Sequence, residues 1–501
     1  MSLRSLFDSV ASADGSTALV VTLTVGLGII VVARMSTRGK SRGGGRPPGP
    51  RRLPILGNLT QLAGNGTFFE KLNEMRKTHG DVLYLELGAV KTLVVFGHDM
   101  VKRLLVDYAD SFQYRPVWLV EIKSLQLSNG IVWSNGADNQ RLRRFALPCV
   151  FPGVGKQTLE QRIQIEAEAL MSQLHERSGD SATLKDLFFR AIGNINCSVI
   201  FGKRYEYEDA EFGEFLALMD SLLQRQGVKN PLNFFPILQR LPEGKKPKAT
   251  REVLSKVSAF LHRKLVEART DFDKDNIRGL LDMYLAQESD DNPIKEENVY
   301  HIVRDFFVAG TENVAIALVW LVGYTARDEN VQDTCRKCVK EFLGERSCPG
   351  MEDIKHMPYL EATVNEALRL ASITPLSVPH ATQEEVEFEG YTIPRDTMVL
   401  THMQSVNLDP AYWEEPDNFR PERFIKDDAV VSKEAFYPYS IGPRYCLAAK
   451  LSQMELTIMF ATLIKHFRFT TAAGAEAPSL RHTQPGAFVE PETFKVTWSS
   501  V

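Results

Sequence analysis

Cys446 stands in YPYSIGPRYCLAAKL, with Tyr439 seven residues before it, Gly442 four before and Arg444 two before. A deprotonated cysteine sulfur is a strong, soft donor to iron. A loop containing glycine lets the backbone approach a flat group closely. Arg444 sets a permanent positive charge beside that sulfur. The bland alternative is a buried free cysteine ahead of a helix, because the apolar run that follows reads as a helix start. The loop alone does not choose between them.

Two further groupings precede it. Glu366 and Arg369 in EALR are three apart and share a helix face, a pattern worth about 0.2–0.5 kcal/mol on a surface. Arg423 in NFRPERF follows before the Cys446 loop. Upstream, the apolar stretch from about Asn298 to Arg327 predicts a helix of roughly 45 Å, enough to cross a domain. Inside it, Ala309, Gly310, Thr311, Glu312 and Asn313 set small residues beside polar ones. Taken alone, that is a notch for helix packing.

The elements that must position these groups are mostly helical. DVLYLELGAVKTLVVFG, residues 81–97, alternates and is β-branched, which predicts paired strands. Helical periodicity then dominates from Met100 to about Tyr359. VEFEGYTIPRDTMVL predicts a second extended region, with turns at Glu389-Gly390 and Pro394-Arg395.

The front of the chain is different. Residues 15–33 carry no charge, and nineteen residues at ~1.5 Å each reach roughly 28 Å, enough for a thin bilayer such as the endoplasmic reticulum. Arg34, Arg38, Lys40, Arg42, Arg46, Arg51 and Arg52 follow, against Arg4 alone before it. That bias places the rest of the chain in the cytosol. Residues 1–40 therefore read as a signal anchor with a basic flank. Residues 41–58, SRGGGRPPGPRRLPILGN, read as a proline-rich hinge, and 59–501 as one catalytic unit. PLNFFPIL, with Phe234, Phe235, Ile237 and Leu238, is a second candidate membrane contact or a loop packed over the core.

A net charge of −4 over 501 residues excludes a strongly basic nucleic-acid binder. Six cysteines scattered over the chain do not form a secreted disulfide framework. Cys335 and Cys338 form a CxxC within a helical pattern, which reads as helix surface or core rather than a redox or zinc motif.

In this order the motifs resemble the cytochrome P450 family. The Cys446 loop is similar to the family's FxxGxRxCxG, with Tyr439 for the phenylalanine and Ala448 for the last glycine. EALR is similar to the ExxR pair, and AGTEN to the oxygen-binding AGTET, with Asn313 at the usual threonine. With GVGKQTLEQRIQ and the proline hinge, the chain looks most like the microsomal animal group that hydroxylates steroids and xenobiotics. The resemblance covers essentially the whole chain.

It implies a mainly α fold with small β-sheets around haem b, behind an N-terminal anchor in the endoplasmic reticulum membrane. Cys446 would be the iron ligand, with Gly442 and Tyr439 shaping its loop. Arg143, His380 in VPHAT and Arg444 would hold the propionates, although the usual tryptophan four residues before Arg143 is Asn139. Glu366, Arg369 and Arg423 would brace the segment leading to the cysteine. Thr311, Glu312 and Asn313 would handle protons beside dioxygen. Phe306, Phe307, Ala309, Gly310, Val378 and Phe488 are candidate pocket residues that fit plain core equally well.

A thiolate donor favours O–O cleavage, so the implied reaction is monooxygenation of an apolar steroid, fatty acid or xenobiotic. The chain has no dinucleotide or flavin fingerprint of its own. The implied electron source is NADPH through NADPH–cytochrome P450 reductase, docking near Arg143, Arg144 and Lys450, with cytochrome b5 as a further partner. Two alternatives stay open: a haem-thiolate isomerase or dehydratase acting on lipid hydroperoxides, which Asn313 keeps in view, and a non-catalytic haem sensor or carrier.

Overall fold

The computed structural model describes residues 45–63, 67–151, 153–178, 181–225, 231–240, 245–289, 291–471 and 488–501. The expected anchor at 15–33 lies outside them. The longer helices are α1 (Phe68–His79), α2 (Gly136–Val150), α3 (Leu159–Glu176), α4 (Lys185–Phe201), α5 (Ala210–Arg225), α6 (Lys245–Thr270), α7 (Glu296–Arg327), α8 (Glu329–Leu343), α9 (Pro358–Ala371) and α10 (Ala449–His466). Strands β1 (Val82–Leu87), β2 (Val90–Val95), β3 (Ser181–Ala182), β4 (His380–Ala381), β5 (Val386–Phe388), β6 (Tyr391–Ile393), β7 (Met398–Thr401), β8 (Phe467–Thr471) and β9 (Val496–Ser500) make small sheets at the margin.

Local chemistry sets these boundaries. Thr67 and Glu70 close a reciprocal capping box on α1, as Thr158 and Gln161 do on α3. α9 starts with Pro358 at its first position and ends at Ser372 in a left-handed conformation. α7 begins at Glu296, two residues earlier than its periodicity predicts, because the Asn298 side chain accepts from the Lys295 backbone N–H at 3.1 Å and caps that end.

Strands β1 and β2 pair antiparallel as expected, and β2 runs parallel to β7, with Thr92 opposite Met398. β4 lies on the other edge of β7 and puts His380 opposite Val399. Strands β5 and β6 form the hairpin read at Glu389-Gly390, where both turn residues have positive φ. The segment read as a hinge is fastened to the sheet from Pro48 onward: the Tyr84 N–H donates to the Pro48 carbonyl at 2.8 Å, and the Asn58 N–H to the Glu86 carbonyl at 2.6 Å. That covers the otherwise open edge of β1.

α7 is the axis of the fold. Helices α4, α9 and α10 pack along it, and the main apolar core surrounds it. Among the described residues it alone is long and apolar enough to cross a membrane, yet 67% of its apolar window is buried within the protein, so it is a core helix. All six cysteines are free; Cys335 is buried and Cys338 partly so on α8, with no metal-ligand cluster among the described residues.

Candidate functional site

α7 is buried through most of its middle, but one face opens. Ala309 is exposed, and Phe306, Gly310 and Asn313 are partly so. Their spacing of three, four and seven puts them in one stripe. Asn313 donates from its amide nitrogen to the Ala309 carbonyl at 2.8 Å, while its Oδ1 is buried without a protein partner. A buried acceptor left unpaired this way calls for a ligand or water.

Thr311, expected among the proton-handling residues, faces away from that stripe. Its hydroxyl accepts from the Asn196 amide of α4 at 3.0 Å, and the residue is 1% exposed. Two residues along a helix is about 200° of rotation, so Thr311 and Asn313 cannot share a face. Phe307 is likewise corrected from pocket to packing: it meets Phe215 edge-on at 4.5 Å and stacks with Phe201 at 6.2 Å, between α4, α5 and α7. Glu312 is buried and pairs with Lys185 at 3.1 Å. Burial raises its pKa above the ordinary carboxylate range, and Lys185 pulls it part of the way back.

Cys446 is half-buried between a short 3-10 turn at Gly442–Arg444 and the start of α10. Its backbone N–H donates to the Tyr439 carbonyl at 3.1 Å, which closes the loop. Burial raises the thiol pKa, while the Ala448 backbone N–H and the charge of Arg143 lower it. Gly442 has φ +77°, and a Cβ there would run into the Leu105 carbonyl, so only glycine lets the loop lie this close to residues 103–107. The Tyr439 hydroxyl bonds Ser452 Oγ and Gln453 Oε1 at 3.3 Å each, ties to α10 that a phenylalanine would lack.

Beside the loop lies a group of basic side chains. Arg444 donates to the Gln113 and Ser134 carbonyls at 2.8 and 2.6 Å, and Arg143 donates to the Tyr445 carbonyl at 2.8 Å. The His380 Nδ1 bonds the Phe112 carbonyl at 2.8 Å. Arg115, which the sequence reading missed, is 7% exposed and donates to the carbonyls of Val132, Val378 and Pro379 at 3.1, 2.6 and 3.0 Å. Its signal was available: it is the only charge in SFQYRPVWLV.

These groups oppose one another. Burial, then Arg444 and Arg143, lowers the Arg115 pKa. Burial and Arg143 bring Arg444 down to about 10, and burial with Arg115 and Arg444 holds His380 well below its usual value. Among the described residues no carboxylate forms an ion pair with any of them. Such a cluster is costly unless an anion joins it. Leu105, Ala109, Phe112, Gln113, His380, Ile441, Pro443 and Arg444 line a narrow cleft at this point. Asn139 takes no part; its amide is spent on the Ile131 carbonyl and the Ser134 hydroxyl.

Glu366, Arg369 and Arg423 come together in one hydrogen-bonded set. Glu366 receives Arg369 Nε at 2.7 Å and Nη2 at 2.8 Å, Arg423 Nε at 2.9 Å and the Arg420 backbone N–H at 2.9 Å. Arg369 also donates to the carbonyls of Asn407, Pro416 and Asn418. Trp413 lies 4.9 Å from its guanidinium carbon. The network therefore ties α9 to the loop that runs toward Cys446. Val378 gives its carbonyl to Arg115. Phe488 is partly buried against the core, next to Val489, whose carbonyl accepts from Trp320 at 3.3 Å.

The family model for cytochrome P450 matches residues 47–498. The chain belongs to the cytochrome P450 family. It is 33% identical over 432 residues to cytochrome P450 2J3 of Rattus norvegicus, covering 84% of this chain and 85% of the relative. It is 29% identical over 506 residues to cytochrome P450 2U1 of Homo sapiens, covering 94% and 92%. Against cytochrome P450 2B4 of Oryctolagus cuniculus the figures are 30% over 472 residues, covering 92% and 95%. Membership makes this cytochrome P450 a haem-dependent monooxygenase, an oxidoreductase similar to animal microsomal relatives. The residues present fit that cofactor: a half-buried thiol, a basic cluster with no acid among the described residues, and an open stripe on an otherwise buried helix.

Proposed function

We propose that this cytochrome P450 inserts one oxygen atom from dioxygen into an apolar steroid, fatty acid or xenobiotic, with electrons from NADPH through the membrane-bound reductase. The observation that carries the reading is the cluster of Arg115, Arg143, His380 and Arg444 beside Cys446, which pairs with no carboxylate among the described residues. Cys446 would ligate the haem iron, and the cluster would hold the propionates. When bound, haem supplies oxygen activation, which a thiolate donor favours.

The chain's own residues do the rest. The Phe112 carbonyl can only accept, so His380 carries its proton on Nδ1 and must gain a second on Nε2 to donate to a carboxylate. Phe306, Ala309 and Gly310 give the open stripe of α7 an apolar surface for the substrate to lie against. Val378 and Phe488 are the candidate walls opposite. Asn313 orders a water at its unpaired Oδ1, and Glu312 brings protons to that water from the side away from the stripe.

The reductase surface lies at the end of α2. Leu147, Phe151 and Tyr445 are exposed apolar residues there, Arg144 and Lys450 are exposed cations, and the Lys450 ammonium sits 3.8 Å over the Phe151 ring. An acidic partner fits such a patch, which suits a reductase and also cytochrome b5. Elsewhere on the surface, Ile237 is 63% exposed, with Leu53 and Leu56 also exposed. The Phe234 carbonyl accepts from the Ala89 N–H at 2.8 Å and the Leu56 carbonyl from the Gly88 N–H at 3.2 Å, so these residues gather at the β1–β2 turn. That apolar rim supports membrane contact in the endoplasmic reticulum beyond a single N-terminal span.

The test is NADPH oxidation and product formation by the full chain with purified reductase, across steroids, fatty acids and drug-like molecules. Substrate-dependent oxidation supports the reading. Consumption of lipid hydroperoxides without NADPH would favour the isomerase reading instead, which the spent Asn313 amide keeps relevant.

A further inference from the structure

Lys185 opens α4 and was not singled out by any motif. Its ammonium lies 3.1 Å from Glu312 Oε1 and 2.8 Å from Glu490 Oε1, so one cation is shared by carboxylates from α7 and from the segment before β9. The Glu312 side chain is 9% exposed, whereas Lys185 and Glu490 are 36% and 37% exposed. Lys185 and Glu490 thus reach solvent, and Glu312 does not. The next residue, Asn313, opens on the stripe where the proposed chemistry consumes protons. The charge set therefore joins a buried carboxylate next to that stripe with two side chains that reach solvent.

We propose that Lys185 is a positioning residue that controls when Glu312 carries a proton, with Glu490 competing for the same ammonium. Paired with Lys185, Glu312 is a fixed carboxylate with nothing to donate. When Lys185 turns fully to Glu490, the buried Glu312 charge loses its partner, and the carboxylate takes a proton from solvent. The neutral acid then donates toward the water at Asn313. One proton enters at a Glu312 oxygen and one leaves from the same carboxyl, after which the regenerated carboxylate pairs with Lys185 again. No electrons move in this step. The charged groups facing Glu312 are Lys185 from α4, Glu490 from the C-terminal segment and Asp220 from α5. Lys185 favours its ionised form, and the two carboxylates oppose it.

This inference rests on the monooxygenase reading, and the experiment separates the two. Product formed per NADPH is measured against pH with the reductase for wild type, Lys185→Met, Lys185→Arg, Glu490→Gln and Glu312→Gln. Coupling falls in wild type as pH rises through the Glu312 pKa. Removing the cation moves that midpoint up by about one unit, and removing the competing acid moves it down. Lys185→Arg stays close to wild type, and Glu312→Gln loses the transition. An unchanged midpoint in Lys185→Met, with wild type active, would overturn the role of Lys185 while leaving the monooxygenase reading intact. A wild type that oxidises no NADPH would overturn both.

A second readout does not depend on turnover. At pH 8, Lys185→Met lowers the thermal midpoint, and adding Glu312→Gln recovers part of that loss because the stranded charge is gone. Strictly additive losses would overturn the coupling.

Discussion

Asn313 bonds the Ala309 carbonyl one turn back on α7 through its amide nitrogen, at 2.8 Å, and leaves its Oδ1 buried without a protein partner. A threonine hydroxyl can make a similar bond to the preceding turn, so the asparagine keeps one function of the usual residue. What it lacks is a single hydroxyl that both donates and accepts. Asn313→Ala is expected to raise hydrogen peroxide released per NADPH more than it lowers NADPH consumption. Asn313→Thr should keep activity with coupling equal or improved. Measuring peroxide and product per NADPH for the three proteins decides it; unchanged coupling in Asn313→Ala would remove the residue from the relay.

Glu366 pairs with two arginines at once, itself and Arg369 fully buried and Arg423 5% exposed. Glu366→Gln strands their charges, and breaking a buried pair costs about 3–5 kcal/mol. The expected outcome is little or no haem-loaded soluble protein. Arg423→Lys should be milder, because Arg369 still holds the carboxylate with two bonds. Yield of haem-loaded protein and its thermal midpoint report both.

Arg115 predicts a loss specific to the cofactor. Arg115→Leu removes a buried charge that burial and its cationic neighbours already disfavour, so the empty protein should lose little stability from charge alone, while its three carbonyl partners lose their donor. Haem transfer to an apo-globin scavenger should run at least about tenfold faster, corresponding to ~1.4 kcal/mol. Transfer at the wild-type rate would take Arg115 out of the propionate site.

Deleting residues 1–40 should release much of the protein from membranes with its haem spectrum intact. Residual association that falls further in Ile237→Asp would support the apolar rim at the β1–β2 turn. Loss of haem on truncation would show instead that this segment belongs to the fold.

The parts legible in the sequence were those whose partners are close along the chain or whose spacing is set by a helix. The EALR pair, the β1–β2 and β5–β6 pairings and the Cys446 loop all appear where expected. AGTEN falls on the stretch of α7 where one face opens, but the motif did not separate its faces, because neighbours in sequence are 100° apart on a helix; hence Thr311 faces Asn196. Arg115 and Lys185 stayed hidden because their partners, Val378 and Glu490, lie 263 and 305 residues away. No local pattern marks such contacts.

The absorption spectrum of the reduced, carbon monoxide-bound protein tests the central claim, thiolate ligation by Cys446, most directly. Wild type should show the thiolate-type band, and Cys446→Ser should lose it together with all oxygenation, because a neutral hydroxyl cannot replace the anionic sulfur donor. A Cys446→Ser protein that kept the band at its wild-type position would contradict the account.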